Sequence, residues 1–279
     1  MTKLWLIANR NSRTTDQSVI DSVTSACLAA GSTVSRTIDL ADEELPKIDG
    51  DAPDIIASLG GDGTANAVID TYGSADGPPL LILPGGTMNL LASRLHGDAD
   101  TNAVIGQALS QQETVTLPQL EGPDFRSLVG IIAGPTAAWG TVREDIRRFA
   151  IGALIRDLPV AIRATYRAPR VQLKGDRSKC AALFIEPRED GLHAHDIQAE
   201  SVGDLASHGW AWLNRDFLGG PTRQIGEGKE LTIKSRASRI ALLVDGERED
   251  AKAPLELRWG LCPARFLATS SVAKSIVQS

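Results

Sequence analysis

The sequence predicts an α/β domain with a mostly parallel sheet, followed by a β-rich second domain. Three observations predict it. A pattern of apolar run, glycine-bearing loop and helical stretch recurs through the first part of the chain. After about residue 118 the texture changes to segments in which polar and apolar residues alternate. The length, 279 residues, lies near the upper limit for one hydrophobic core, so two are expected.

The first apolar run, residues 3–8, reads as a strand, and residues 15–30 follow with Val19, Val23, Cys27 and Leu28 at helical spacing before Gly31. The pattern returns with a buried strand over residues 54–59, a glycine loop over 60–63 and a helix over 64–72. It returns again with a strand over 80–83, a loop over 84–86 and a helix over 87–96. In the second domain, strands are predicted around residues 126–132, 170–173, 181–185, 230–234 and 240–244. Between them residues 137–167 read as one long helix that Pro159 should kink or divide. Residues 186–190 and 219–221 read as loops.

Composition narrows the function classes. Hydrophobic residues make up 42% and charged residues 23%, which excludes a disordered or fibrous chain. A formal charge of -6 gives no overall electrostatic grip on nucleic acid, so no nucleic-acid partner is expected and any anion site must be local. Cys27, Cys180 and Cys262 are odd in number and far apart, which fits a reducing compartment. No apolar run approaches the length of a membrane-spanning helix, and a soluble or at most peripheral protein is expected.

The sharpest chemical signal is the loop Gly60, Gly61, Asp62, Gly63 and Thr64 between a buried strand and a helix. Glycines let main-chain N–H groups approach phosphate oxygens, and the helix adds its positive end. Thr64 is expected as the N-cap and as a hydroxyl donor to phosphate, and Asp62 as a ligand of Mg²⁺ or of its bound water. The loop from Pro84 through Gly85, Gly86, Thr87 and Met88 to Asn89 repeats the arrangement one strand later, so two glycine loops should converge at one sheet edge to hold a triphosphate. Neither loop has the Walker A string or the dinucleotide fingerprint.

Together these motifs resemble the diacylglycerol kinase catalytic-domain family, which includes bacterial lipid kinases and sphingosine kinases and is a relative of the NAD kinases. The resemblance rests on residues 9–12 after the first strand, the Gly60 loop with Asn66, the Pro84 loop with Asn89 and Ala92, and a late Asp245, Gly246 and Glu247. It implies a nucleotide-binding domain over residues 1–118, to which residues 259–279 return, and a β-sandwich-like domain over 119–258 that receives a lipid. It implies nucleotide contacts from Asn9, Asn11, Ser12, Arg13, Gly60, Gly61, Gly63, Thr64, Asn66, Gly86, Thr87 and Asn89. Glu247 is implied as general base with Asp245 beside it, although the aspartate matching Asp62 is the alternative base.

Departures from the pattern are also visible. Arg10 and Arg13 stand where the family has Pro and Gly, and Met88, Asn89 and Leu90 stand where it has Gly, Asn and Asp. Thr136 replaces an Asp of a further motif. A turn that holds a structural Mg²⁺ in several bacterial members corresponds here to residues 189–193, with Asp190 as a metal candidate and a plain hairpin turn as the competing reading. His193 and His195 are expected on a solvent-facing strand rather than on zinc, and Cys27 as a buried thiol. Trp210, Trp212, Leu213 and Phe217 are expected on one helix face of the second domain. Seven arginines between Arg143 and Arg170, against three acids, suggest either an anionic-lipid docking surface or a solvated helix face.

The expected activity is an ATP- and Mg²⁺-dependent lipid kinase, acting on a lipid hydroxyl such as that of diacylglycerol at the cytoplasmic face of the membrane. The alternatives are an NAD kinase-like enzyme of a soluble acceptor and a non-catalytic relative that binds nucleotide or lipid. The expected partner is a membrane lipid, with peripheral membrane contact, and a homodimer is left open.

Overall fold

The computed structural model describes residues 1–12, 15–86, 88–134, 169–197, 222–245 and 247–269. The long helix expected over residues 137–167, the tryptophan-bearing helix face and the loop over 219–221 lie outside them. So do Arg13, Thr87 and nearly all of the arginine-rich stretch.

The chain divides into two compact units, Met1–Leu117 with Leu261–Ser279, and Pro118–Gly260. The first contains β1 (Thr2–Ala8), α1 (Gln17–Ala29), β2 (Ser32–Asp39), β3 (Ile55–Gly60), α2 (Asp62–Tyr72), β4 (Leu80–Pro84), α3 (Leu90–His96), α4 (Thr101–Gln111) and β5 (Thr114–Val115). The second contains β6 (Pro118–Glu121), β7 (Arg126–Ser127), β8 (Ile131–Ala133), β9 (Val171–Leu173), β10 (Ala182–Pro187) and β11 (Leu192–Ile197). It continues with β12 (Thr222–Gly228), β13 (Glu230–Ser235), β14 (Arg239–Val244), β15 (Glu247–Lys252) and β16 (Leu255–Leu261), after which β17 (Phe266–Leu267) returns to the first unit.

In the first unit six strands order as β2-β1-β3-β4-β17-β5. The β1/β2, β1/β3, β3/β4 and β4/β17 pairs are parallel, and β17/β5 is antiparallel. Every residue of β3 is buried, which explains its uninterrupted apolar run. Asp16 caps α1 by accepting from the amide of Val19, and the helix buries Ile20, Val23 and Cys27. Leu28, expected on the buried stripe, is 59% exposed because the buried face centres on Ile20 instead. The order places β2 and β3 on opposite sides of β1, so the direction of winding reverses there. Ligands of open α/β sheets collect at the carboxyl ends of the strands beside such a reversal.

The second unit is built on two sheets, ordered β12-β11-β10-β8-β14-β15 and β7-β6-β16-β13-β9. The recorded pairings within them are antiparallel. One core cluster draws Leu183, Ile185, Leu192 and Ala194 from the first sheet and Leu231, Ile233, Leu255 and Leu257 from the second, the signature of a sandwich. His193 and His195 alternate with those inward residues, yet both are buried rather than solvent-facing. The reason is that β11 lies between β10 and β12, and the outer face carries a cluster of its own, Ile132, Phe184 and Leu243.

Candidate functional site

Three loops leave the carboxyl ends of β1, β3 and β4 and interlock in the first unit. After β3, the chain turns at Gly61, which is the N-cap of α2 and makes no side-chain capping bond. The helix therefore begins at Asp62, two residues before the expected cap Thr64, and Thr64 sits inside its first turn, buried. The first amide to bond within the helix is that of Ala65, to the carbonyl of Gly61 at 3.1 Å. The 11-residue helix thus starts, and directs its positive end, at the carboxyl edge of the sheet beside the second glycine loop.

The second glycine loop is pressed against the first. The amide of Gly85 donates to the carbonyl of Gly60 at 3.0 Å. A Cβ on Gly85 would lie 2.7 Å from the nitrogen of Gly60, and one on Gly86 would overlap the Cα of Gly61. These glycines are thus required by backbone contact as well as by any ligand. Asn89 adopts the left-handed conformation at φ 50° and folds its side chain back onto Gly86, accepting from its amide at 2.7 Å and donating to its carbonyl at 2.8 Å. That leaves α3 without a cap from Asn89, and Asp62 supplies one instead, its Oδ1 accepting from the amide of Leu91 at 3.1 Å.

The loop after β1 closes the third side. The hydroxyls of Ser12 and Thr15 both donate to the carbonyl of Gly85, at 2.7 and 2.9 Å. Asn9 donates to the hydroxyl of Thr64 at 3.4 Å and accepts from the amide of Asn11 at 3.0 Å. Arg10 forms ion pairs with Asp39 and Asp42 at the end of β2. Asn9, Asn11, Ser12, Gly60, Gly61, Asp62, Gly63, Thr64, Gly86 and Asn89 are thereby gathered at one sheet edge, and Asn66 lies one turn into α2. Two residues missed in the sequence take part, Thr15 and Leu91. The preference of Ser and Thr for loop hydrogen bonds could have signalled the first, and nothing in the sequence signals the second.

Asp245 and Glu247 belong to the second unit. Register pairs Val244 with Glu247, so Asp245 occupies a two-residue connection between β14 and β15, with a positive φ of 44° that Asp tolerates. Asp245 is buried, and Glu247 is exposed at the start of an edge strand. Asp190 lies in the hairpin turn between β10 and β11, closed by the amide of Arg188 donating to the carbonyl of Gly191 at 2.8 Å. Its Oδ1 lies 2.8 Å from Nε2 of His193, and that hydrogen bond draws the carboxyl below its ordinary range. Among the described residues, no group of three or more His, Cys, Asp or Glu side chains is arranged to hold a metal ion.

Glycine loops after β3 and β4, beside the winding reversal of a parallel sheet and at the start of α2, lie where the ligands of open α/β sheets collect. Residues 3–118 match the family model of the diacylglycerol kinase catalytic domain, and the resemblance carried by the motifs holds over them. No curated protein matches the chain. A diacylglycerol kinase structure from Bacillus anthracis shares 14% identity, with 97% of this chain and 98% of that one covered, at a TM-score of 0.59. A second structure from the same organism shares 16% identity over the same proportions, at a TM-score of 0.61. An NAD kinase from Archaeoglobus fulgidus, solved with ATP, has 14% identity and a TM-score of 0.48, with 99% of this chain and 97% of that one covered. The likeness to the Bacillus structures is one of fold, an α/β unit joined to a unit of antiparallel sheets.

Proposed function

We propose that the protein is an ATP-dependent lipid kinase that transfers the γ-phosphoryl group to a lipid hydroxyl such as that of diacylglycerol. The observation that carries this reading is the interlocked pair of glycine loops, lying within the segment that matches the diacylglycerol kinase catalytic domain. ATP fits these loops chemically, because their glycines let two backbone segments lie side by side and the start of α2, N-capped by Gly61, favours phosphate charge. Mg²⁺ fits less completely. Asp62 is the carboxylate of the glycine loops, and its Oδ1 already serves Leu91, so a bound Mg²⁺ would be held chiefly by phosphate oxygens. When present it would neutralise charge on the phosphates.

In this reading the chain does three things. The amides at the start of α2 hold the phosphates, with the second glycine loop packed against that turn, while Asn9, Asn11 and Ser12 border the nucleotide. Asp62 fixes the spacing of the two loops and offers charge to the metal. Glu247, exposed at the start of β15, takes the hydroxyl proton as transfer proceeds. Phosphoryl transfer needs little more than positioning and charge stabilisation, which such a set of residues supplies. No helix among the described residues is long and apolar enough to cross a membrane. In this reading the lipid acceptor is met by peripheral contact at the cytoplasmic face.

The test is transfer of γ-labelled phosphate from ATP, with Mg²⁺, into the organic phase of mixed micelles made from a total lipid extract. Label appearing with the wild type and absent with Glu247→Gln supports the reading. NAD-dependent ADP formation without lipid labelling overturns the lipid acceptor. A protein that binds ATP and labels neither acceptor overturns kinase activity altogether.

A further inference from the structure

Ser127, at the end of β7, is fully buried, and its hydroxyl sits at the centre of a four-membered hydrogen-bond set. The amides of Val129 and Gly130 donate to its Oγ at 3.2 and 2.7 Å. Two acceptors lie within reach of its single proton, the carbonyl of Gly130 at 3.1 Å and Oδ1 of Asp245 at 2.5 Å. A serine hydroxyl has one proton and two lone pairs, and the two amides occupy the lone pairs. The proton therefore goes to one acceptor, and the carboxylate is both nearer and the stronger of the two. The carbonyl of Gly130 faces the amide of Asp245 at 3.5 Å, so the segment 127–130 meets Asp245 at its side chain and at its backbone.

Asp245 is an unfavourable residue to leave unsupported. It is 5% exposed and holds a left-handed φ of 44°. Both features carry a cost unless neighbouring groups determine them. The next described residue, Glu247, opens β15 in register with Val244, so the direction in which Glu247 leaves the turn depends on how Asp245 is held.

We propose that Ser127 is a positioning residue for phosphoryl transfer, locking Asp245 and through it the turn that presents Glu247. The inference rests on the reading of Glu247 as the general base. It adds a residue that no motif marks, because a lone serine in a two-residue strand carries no pattern of its own.

The experiment is a double-mutant cycle with a second, non-kinetic readout. Ser127→Ala is expected to lower kcat about tenfold while KM for ATP changes less than about twofold, as for a group that acts on the transferring step and not on nucleotide binding. Ser127→Cys fills nearly the same volume with a weak donor and is expected to show the same loss. Asp245→Gly keeps the left-handed turn accessible and removes the acceptor. In that background, Ser127→Ala is expected to change kcat less than about twofold, because coupled residues do not add. Multiplying losses would mean that Ser127 acts apart from Asp245 and would overturn the proposal.

Deuterium uptake in the peptide 243–249 is expected to quicken about fivefold or more in Ser127→Ala, as a loosened turn opens more often. Unchanged uptake overturns the lock whatever the activity. Quickened uptake in a protein whose wild type transfers no phosphate overturns the kinase reading and leaves the Ser127–Asp245 lock standing.

Discussion

Oδ1 of Asp62 accepts the amide hydrogen of Leu91 at 3.1 Å, so the acidic residue of the first glycine loop caps the helix that follows the second. A residue expected to serve a metal is thereby also a structural link between the two glycine loops. The two roles separate by substitution. Asp62→Asn keeps an oxygen acceptor for Leu91 and loses the charge, whereas Asp62→Ala loses both. Asp62→Ala is expected to cost about 1 kcal/mol in stability, the scale of a lost helix cap, and Asp62→Asn much less. Both are expected to lower turnover about a hundredfold or more. Thermal melting and ADP release on the two proteins check the pair. Equal melting temperatures would remove the capping role.

Gly86 tests whether the close approach of the loops matters to binding. A Cβ there meets the Cα of Gly61, backbone against backbone, and neither loop can yield by turning a side chain. Gly86→Ala is expected to push the loops apart at a cost of about 1–3 kcal/mol. ATP affinity is expected to fall about tenfold or more, and calorimetric titration with ATP reads it. Gly63, beside which an added Cβ meets nothing within 4 Å, is the control, and Gly63→Ala should leave stability nearly unchanged.

Much of the first unit is legible from the sequence because its central strands are buried on both faces. β1, β3 and β4 read as short apolar runs, and the glycines after β3 and β4 mark their carboxyl ends. β2 escapes because it is an edge strand, with Arg36 and Thr37 exposed between its few buried residues. β15 is the extreme case. Its six residues include Glu247, Arg248, Glu249, Asp250 and Lys252, and only its pairing with β14 makes it a strand. Charge on an edge strand discourages pairing with another chain, which is a physical reason for such a sequence. The site is legible as a set of loops and not as a network. Motif order places the Gly60 and Pro84 loops together, but that Asp62 reaches Leu91 or that Ser127 reaches Asp245 depends on loop geometry that spacing does not encode.

His96 gives the first unit an acid-sensitive joint. The ring is buried, with Nε2 3.0 Å from the carbonyl of Ile82 and Nδ1 3.1 Å from the hydroxyl of Thr269. A carbonyl only accepts, so Nε2 carries the proton and Nδ1 accepts from Thr269. Burial holds the imidazole pKa down at about 4, against an ordinary 6.5, despite the opposing bond to Ile82. Above pH 6.5 the ring is neutral in both folded and unfolded chains. As pH falls from 6.5 towards 4 the unfolded chain takes up the proton first, so stability is lost across that window, by about 3 kcal/mol in total. Denaturant unfolding at pH 7.5 and pH 4.5 measures the slope. His96→Gln is expected to flatten it, while lowering stability at neutral pH.

None of the three cysteines forms a disulfide, and all are buried. Burial pushes the thiol of Cys27 up to about 11 and raises that of Cys180 as well, with Asp196 adding to the burial effect there. Thiolate is the reactive form, so these two sites are doubly protected. Folded protein at pH 8 is expected to react with a thiol reagent at Cys27 and Cys180 at least about a hundred times more slowly than denatured protein. Mass spectrometry of labelled peptides distinguishes the sites. Rapid labelling of Cys27 in the folded chain would show that α1 opens from the sheet far more readily than its buried face of Ile20, Val23 and Cys27 allows.

Glu247 and Asp245 sit two residues apart in opposite environments, and their variants should separate chemistry from stability. Glu247 is exposed on an edge strand, so Glu247→Gln removes a charge with little loss of packing, and its effect on stability should stay within about 0.5 kcal/mol. Its effect on phosphate transfer should be large, about a hundredfold or more, if it takes the hydroxyl proton. Asp245→Asn keeps both the left-handed turn and an acceptor for Ser127, since Asn tolerates that conformation nearly as Asp does. It should therefore lower transfer less than Glu247→Gln. Initial rates of label transfer beside melting curves for both variants give the comparison. A greater loss for Asp245→Asn, with Glu247→Gln near wild type, would move the proton-accepting role from the exposed carboxylate to the buried one.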